Sequence, residues 1–265
     1  MNIIEVRTED LQEAPFLGLL SYGRDYGWLE ESIERCGLLY PLIVSPGENG
    51  SYSLVCGRAR LGALTALQAQ TVPAIVRTDL KGDKSFEVAI EDNLKTRGFN
   101  EVEKAGAVHF ILKVLKPPRE EAERLLSILS VPINPRTVSR YLKLYNASDT
   151  VKQMLASGEL SFHTFVLISG LNENETGPIL RVVKKLGLGT NYQRELVTLC
   201  EDISACRGGS VSEILSSPEV RDMLGNDSLS APDKVKHIFR LLRNVRCQRA
   251  QGPKTGGKPS IGDRR

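Results

Sequence analysis

The chain has 265 residues, 41% hydrophobic and 25% charged, an ordinary composition for a globular protein with one or two separately packed cores. No apolar run approaches the roughly 20 residues a membrane-spanning helix needs, and residues 1–6 lack the basic start of a signal peptide, so a cytoplasmic location without a membrane partner is expected. The five cysteines, Cys36, Cys56, Cys200, Cys206 and Cys247, are odd in number and never paired as Cys-x-x-Cys, which argues against a disulfide framework and a thiolate zinc site.

The elements follow in chain order. Leu29 and Ile33 mark a short amphipathic helix from Trp28 to Cys36, stopped by Gly37. Leu42-Ile-Val44 and Tyr52 to Cys56 read as strands joined by the turn Pro46-Gly-Glu-Asn-Gly50. A helix from Ala59 to Gln70, with Leu61, Leu64 and Leu67 at helical spacing, covers them, and Val72 to Arg77 is a further strand. Phe86 to Leu94 is helical. Asn100 followed by Glu103 is a capping box that opens a long helix reaching Leu115 and ended by Pro117-Pro118. From there only helices are expected: Arg119 to Leu129, Arg136 to Tyr145, Thr150 to Ala156, Ser161 to Ile168, Ile179 to Leu186, Tyr192 to Asp202 and Pro232 to Val245.

The fold class is therefore α+β: a small mixed α/β domain over residues 1–98, a helix-turn-helix domain over 99–170, a helical region over 171–247 and a disordered basic tail over 248–265. The net charge of +3 is uneven, because Lys236 to the C-terminus holds nine Lys or Arg against one acid, Asp263. Such an end either attracts phosphates or merely keeps the chain soluble.

Two segments carry chemistry. Asn134 is a suitable N-cap and Pro135 a suitable first residue for the helix that follows. Val138, Leu142 and Tyr145 are expected to bury against Ala122, Leu125 and Leu126, while Arg136, Arg140 and Lys143, with Thr137 and Ser139, face a DNA major groove. The bland alternative is a helical bundle with a basic outer face. At the end of the second strand, Gly57-Arg-Ala-Arg60 sets free backbone N–H groups, Arg58 and Arg60 where an anion could approach; equally, it is a tight turn with surface arginines. Glu91-Asp-Asn-Leu-Lys-Thr-Arg97 offers carboxylate and amide oxygens to Mg²⁺ between phosphates, or is the charged end of an ordinary helix. No Walker motif or dinucleotide fingerprint is present.

Taken together, Leu29 to Val44, Tyr52 to Ala63, Val72 to Arg77, Glu91 to Glu103, Arg136 to Leu144 and Val151 to Ser161 resemble the ParB/Spo0J family of partition proteins and their nucleoid-occlusion relatives over roughly residues 28–170. The resemblance implies a ParB-like N-terminal domain that binds CTP and clamps, a helix-turn-helix reading a centromere-like duplex, a homodimer, a partition ATPase as partner, and association with nucleoid or plasmid DNA. Gly57 matches the glycine of the family's Gly-Glu-Arg-Arg turn and Arg60 its last arginine, but Arg58 stands at the glutamate and Ala59 at the first arginine. Asp92 and Asn93 match the Glu-Asn pair that holds metal and nucleotide, and Thr96 stands where an arginine is expected, with Arg97 beside it. These departures are compatible with CTP binding and argue against efficient CTP hydrolysis, so at most a weak CTPase with no identifiable catalytic residue is implied. A DNA-binding regulator that has lost nucleotide switching is the alternative, and a metal-dependent nuclease a more distant one.

Overall fold

The computed structural model describes residues 3–207 and 210–247; the basic segment 248–265 lies outside them. Packing divides the chain after Ser157 into two compact units.

The first unit contains β1 (Ile3–Arg7), β2 (Leu11–Glu13), α1 (Gly27–Cys36), β3 (Leu42–Pro46), β4 (Tyr52–Cys56), α2 (Arg58–Ala66) and β5 (Thr71–Val76). The strands make one mixed sheet in the order β1-β5-β3-β4-β2. β3 and β4 pair antiparallel across a turn in which Asn49 and Gly50 take φ values of +55° and +82°. β5 joins β3 in parallel, as the connection through a covering helix requires. These three strands are the expected ones.

The outer strands were not expected. Ile3 and Ile4 are 61% and 37% exposed, so β1 shows no buried alternation, and β2 is only three residues long. What holds them is distant pairing: Ile4 opposite Ala74, and Leu11 opposite Tyr52.

Behind the sheet follow α3 (Asp83–Thr96), α4 (Glu101–His109), α5 (Arg119–Ile128), α6 (Pro135–Tyr145) and α7 (Asp149–Ala156). Phe16, Phe86 and Phe110 meet with ring centroids 4.8 to 5.6 Å apart, tying the N-terminal loop to α3 and the end of α4. The capping box at Asn100 and Glu103 forms as expected. The long helix does not continue as one: residues 110–115 are wound as a π-helix, and Lys116, at φ +49°, donates its N–H to Ile111 O at 2.9 Å before the prolines stop the chain.

α5 ends with Ser130 at φ +55°; its N–H reaches Ser127 O, and that of Val131 reaches Leu126 O, a two-bond helix stop that usually takes glycine. Asn134 then accepts the Thr137 N–H at 2.8 Å and opens α6. The buried face of α6 differs from the expected one. Tyr141 and Leu144 are buried, whereas Val138, Leu142 and Tyr145 are only half-buried. α6 packs chiefly on α4 rather than on α5, and the Tyr141 hydroxyl donates to Glu101 Oε2 at 2.7 Å. This turns the inward side by about one residue, roughly 100°.

The second unit is helical: α8 (Phe162–Ile168), α9 (Glu173–Leu186), α10 (Thr190–Arg207), α11 (Val211–Leu215), α12 (Pro218–Gly225) and α13 (Ala231–Cys247). α9 starts before Pro178 because Asn172 and Glu175 cap it reciprocally; the proline, in the second turn, gives up the helical bond that an N–H at this position would make to residue 174. Buried Gln193 on α10 accepts from Ser161 N–H and donates to Glu159 O and Leu188 O, fixing the start of α8. No helix among the described residues is long and apolar enough to cross a membrane.

Candidate functional site

The β4-to-α2 junction, α1, the turn into β3 and the end of α3 enclose a cleft of about 560 Å³. Gly57, Arg58, Ala59, Arg60, Asp92, Asn93, Thr96 and Arg97 all line it. The two segments that the sequence marked for phosphate and metal, more than thirty residues apart, therefore meet at one opening.

Gly57 makes the junction possible. It adopts φ +104°, which L-residues with side chains rarely take, and precedes α2 with no side-chain cap. The first N–H groups of α2 thus need partners from outside the helix. Arg58 spends its Nε on Glu13 Oε2, 2.8 Å away on β2. Arg60 donates from Nη1 to Tyr40 O at 3.0 Å and Pro41 O at 2.8 Å, so half of its fork pins the turn into β3. Neither acceptor was evident in the sequence, because both bonds span about twenty residues or more.

On α3, Asn93 is bonded at both ends of its amide: its Nδ2 donates to Ala89 O at 2.8 Å and its Oδ1 accepts from Arg97 Nε at 3.0 Å. The Thr96 hydroxyl turns back to Asp92 O at 2.7 Å. The Asp92 carboxylate has no hydrogen-bond or ion-pair partner among the described residues. Cys56, immediately before Gly57, is buried with its thiol on Val88 O at 3.9 Å. Burial, reinforced by the Asp92 charge and opposed by Arg60, pushes that thiol up to about 12 and keeps it protonated at neutral pH.

Beneath the cleft lies a network the sequence did not reveal. Glu103 is fully buried and accepts from Arg24 Nη2 at 2.8 Å, Arg97 Nη1 at 2.9 Å and Asn100 N–H at 2.9 Å. Arg97 also donates to Leu20 O, and Asn100 Nδ2 to Tyr22 O. The capping residue is thus also the anion around which two arginines and the N-terminal loop are organised. Glu103's hydrogen bond holds the Arg24 pKa above its ordinary value.

The sequence also assigned α6 a role. Arg136, Ser139 and Lys143 are exposed, with Thr137 and Arg140 half-buried beside them. α6 contains no acid, and none of its cations pairs with an acid among the described residues. On α5 the arginines are neutralised: Arg119 pairs with Glu123, and Arg124 with Glu87 and Glu121. The basic side of α6 therefore faces outward with its charge uncompensated.

The first unit thus joins an α+β domain, with a cleft between a glycine-arginine turn and an acid-amide helix, to two helices across a tight turn, the second of them basic. Residues 3–94 match the ParB N-terminal domain. The chain carries that domain and is related to the ParB/Spo0J partition proteins. A probable chromosome-partitioning protein ParB of Chlamydia trachomatis is 28% identical over 179 residues, covering 65% of this chain and 62% of that protein. Stage 0 sporulation protein J of Bacillus subtilis is 28% identical over 198 residues, covering 74% and 68%. This chain thus spans less than two thirds of the chlamydial relative. Among solved structures, C-terminally truncated ParB of Caulobacter crescentus complexed to the centromeric parS site aligns with 74% of this chain and 98% of that one, at 21% identity and a TM-score of 0.43. The same protein complexed with CTP-gamma-S aligns with 65% and 94%, at 24% identity and a TM-score of 0.32.

Proposed function

We propose that this chain is a site-specific DNA-binding protein of chromosome or plasmid partition, with a CTP-binding N-terminal domain (1–98), a DNA-reading module (99–170) and a helical region (171–247) ahead of a basic tail. What carries this reading is the convergence of Gly57, Arg58, Arg60, Asp92 and Asn93 on one cleft within a ParB N-terminal domain. The partition role of its relatives adds to it.

The triphosphate lies against the N-terminus of α2, whose N–H groups and positive dipole end favour an anion. Arg58 exchanges Glu13 for phosphate, and the uncommitted part of the Arg60 fork supplies further donors. Asp92 offers Mg²⁺ one carboxylate, while Asn93 holds the end of α3 through Arg97. The other ligands of a Mg²⁺ held by Asp92 would come from the nucleotide and water, as is usual for this ion. On DNA, Arg136, Ser139 and Lys143 lead the contact, with Thr137 and Arg140 at its edge. A homodimer clamps the duplex with nucleotide bound, a partition ATPase is its partner, and the complex resides on nucleoid or plasmid DNA in the cytoplasm.

Titration of labelled CTP into the full chain, with and without Mg²⁺, is expected to show Mg²⁺-dependent binding that Arg60→Ala weakens about tenfold, the loss of one good charged contact. Duplex binding is expected to weaken similarly in Arg140→Ala, with helicity unchanged and the salt dependence reduced by about one phosphate contact. Unchanged DNA affinity at low and moderate salt in both Arg140→Ala and Arg136→Ala would remove α6 from the interface. The Arg58–Glu13 pair favours one second reading, a regulator that binds DNA but no nucleotide, because Glu13 competes with phosphate. DNA binding without any CTP binding would select it.

A further inference from the structure

We propose that Glu13 is a built-in competitor for the ligand of this cleft: its carboxylate holds the Arg58 guanidinium in place of a phosphate, so that a residue of the edge strand β2 sets how tightly the nucleoside triphosphate binds. The inference rests on the nucleotide reading above and assigns the control of its phosphate side.

Three arginines line the cleft, Arg58, Arg60 and Arg97, and their partners differ in kind. Arg60 is bonded to two neutral carbonyls and keeps its charge. Arg97 shares Glu103 with Arg24, and because that carboxylate is wholly buried the group is a fixed part of the scaffold. Arg58 is the one whose carboxylate partner is also open to water: the Arg58 and Glu13 side chains are 39% and 45% exposed. An exposed ion pair is weak and exchanges partners readily, whereas breaking a buried pair from one side is far more costly.

The backbone brings the two residues together. Glu13 ends β2, which lies parallel to β4 with Glu13 opposite Leu54. β4 runs on through Cys56 and Gly57, and Arg58 is the first residue of α2. The end of the edge strand and the start of the helix are thereby neighbours, and Arg58 Nε donates to Glu13 Oε2 at 2.8 Å. Among the described residues the Glu13 carboxylate has no other hydrogen-bond or ion-pair partner. Its charge serves no buried network; what it does is occupy Arg58.

A carboxylate and a phosphate offer a guanidinium the same kind of charged oxygen acceptor, so they compete for one fork. In the empty cleft Glu13 cancels the Arg58 charge beside the start of α2, where the helix dipole and the free N–H groups favour an anion. A triphosphate must displace the carboxylate and is repelled by it meanwhile. Neutralising Glu13 gives the whole cation to the ligand.

The test measures, by calorimetry at low salt with Mg²⁺, the affinities of CTP and of inorganic tripolyphosphate for four full-length proteins: the unaltered chain, Glu13→Gln, Arg58→Ala and the double variant. Gln keeps the shape of Glu without its charge, and at an exposed edge position it leaves the fold intact. Glu13→Gln is expected to bind both ligands about two- to fivefold more tightly, the scale of an exposed ion pair. Arg58→Ala should bind both more weakly, and Glu13→Gln should add nothing in the Arg58→Ala background, as coupled neighbours require. Binding gained by Glu13→Gln where the unaltered chain shows none would support the proposal in its strongest form. Unchanged or weaker binding by Glu13→Gln overturns it, because Glu13 then only braces Arg58; so does undiminished binding by Arg58→Ala. An equal gain with and without Arg58 overturns it as well, since the carboxylate then acts through its general field and not on that arginine. If none of the four proteins binds either ligand, the nucleotide reading itself fails and the competitor with it.

Discussion

Glu103→Ala is expected to destabilise the first unit by about 3 kcal/mol, the lower end of the cost of breaking a buried ion pair from one side. The carboxylate is wholly buried and satisfies four donor groups: two nitrogens of Arg24, one of Arg97 and the Asn100 N–H. Removing it leaves two guanidinium groups facing each other around a void. It also deletes the return half of the α4 capping box, worth about 1 kcal/mol in itself. The lower figure applies because Arg24 and Arg97 retain 28% and 18% side-chain exposure and can recover some water. Glu103→Gln should cost less, since its amide oxygen still accepts, although its NH₂ now confronts arginine donors. Thermal unfolding followed by circular dichroism should show the Ala variant melting roughly 6–12 °C lower. Because Arg97 also fixes Asn93 and Leu20, nucleotide affinity should fall in parallel. A Glu103→Ala protein with an unchanged melting point would mean that the two arginines do not depend on this anion.

The sequence announced features set by neighbouring residues and hid those set by distant ones. The capping box at Asn100, the Asn134 cap and the β3–β4 hairpin were legible because each is decided within a few residues. β1 and β2 were illegible because their outward side chains carry no alternation and their ladders depend on strands far along the chain. The inward side of α6 was misjudged for the same reason: periodicity shows that a helix has an apolar face, but Tyr141 is drawn inward by packing on α4 and by Glu101. Within the cleft, Gly57, Arg58, Arg60, Asp92 and Asn93 could be singled out by residue type. That Asn93 and half of Arg60 serve the scaffold, and that Glu13 occupies Arg58, depends on contacts no local pattern encodes.

Gly57→Ala should cost about 2–3 kcal/mol, and nucleotide binding should weaken by at least tenfold. Two independent obstacles combine. At φ +104° a side chain is strained whatever space surrounds it, and the added Cβ would lie 2.7 Å from Leu42 Cδ2 and 3.1 Å from Arg60 Nη2. Leu42 is fully buried in β3 and has nowhere to retreat. Arg60 is bonded to Tyr40 and Pro41, so displacing it would unpin the turn into β3. The cheaper escape is rotation of residue 57 to negative φ, which breaks the Leu61 N–H bond to its carbonyl and tilts the first turn of α2 away from the cleft. Gly62→Ala supplies the control within the same helix. Gly62 is exposed, an added Cβ there meets nothing within 4 Å, and the substitution should stabilise by about 0.5–1 kcal/mol with binding unaltered. Denaturation and CTP titration of the two variants side by side separate a glycine required by conformation from one that merely occupies a helix. Should Gly57→Ala match the unaltered chain in both, the left-handed turn would not be what presents α2 to the ligand.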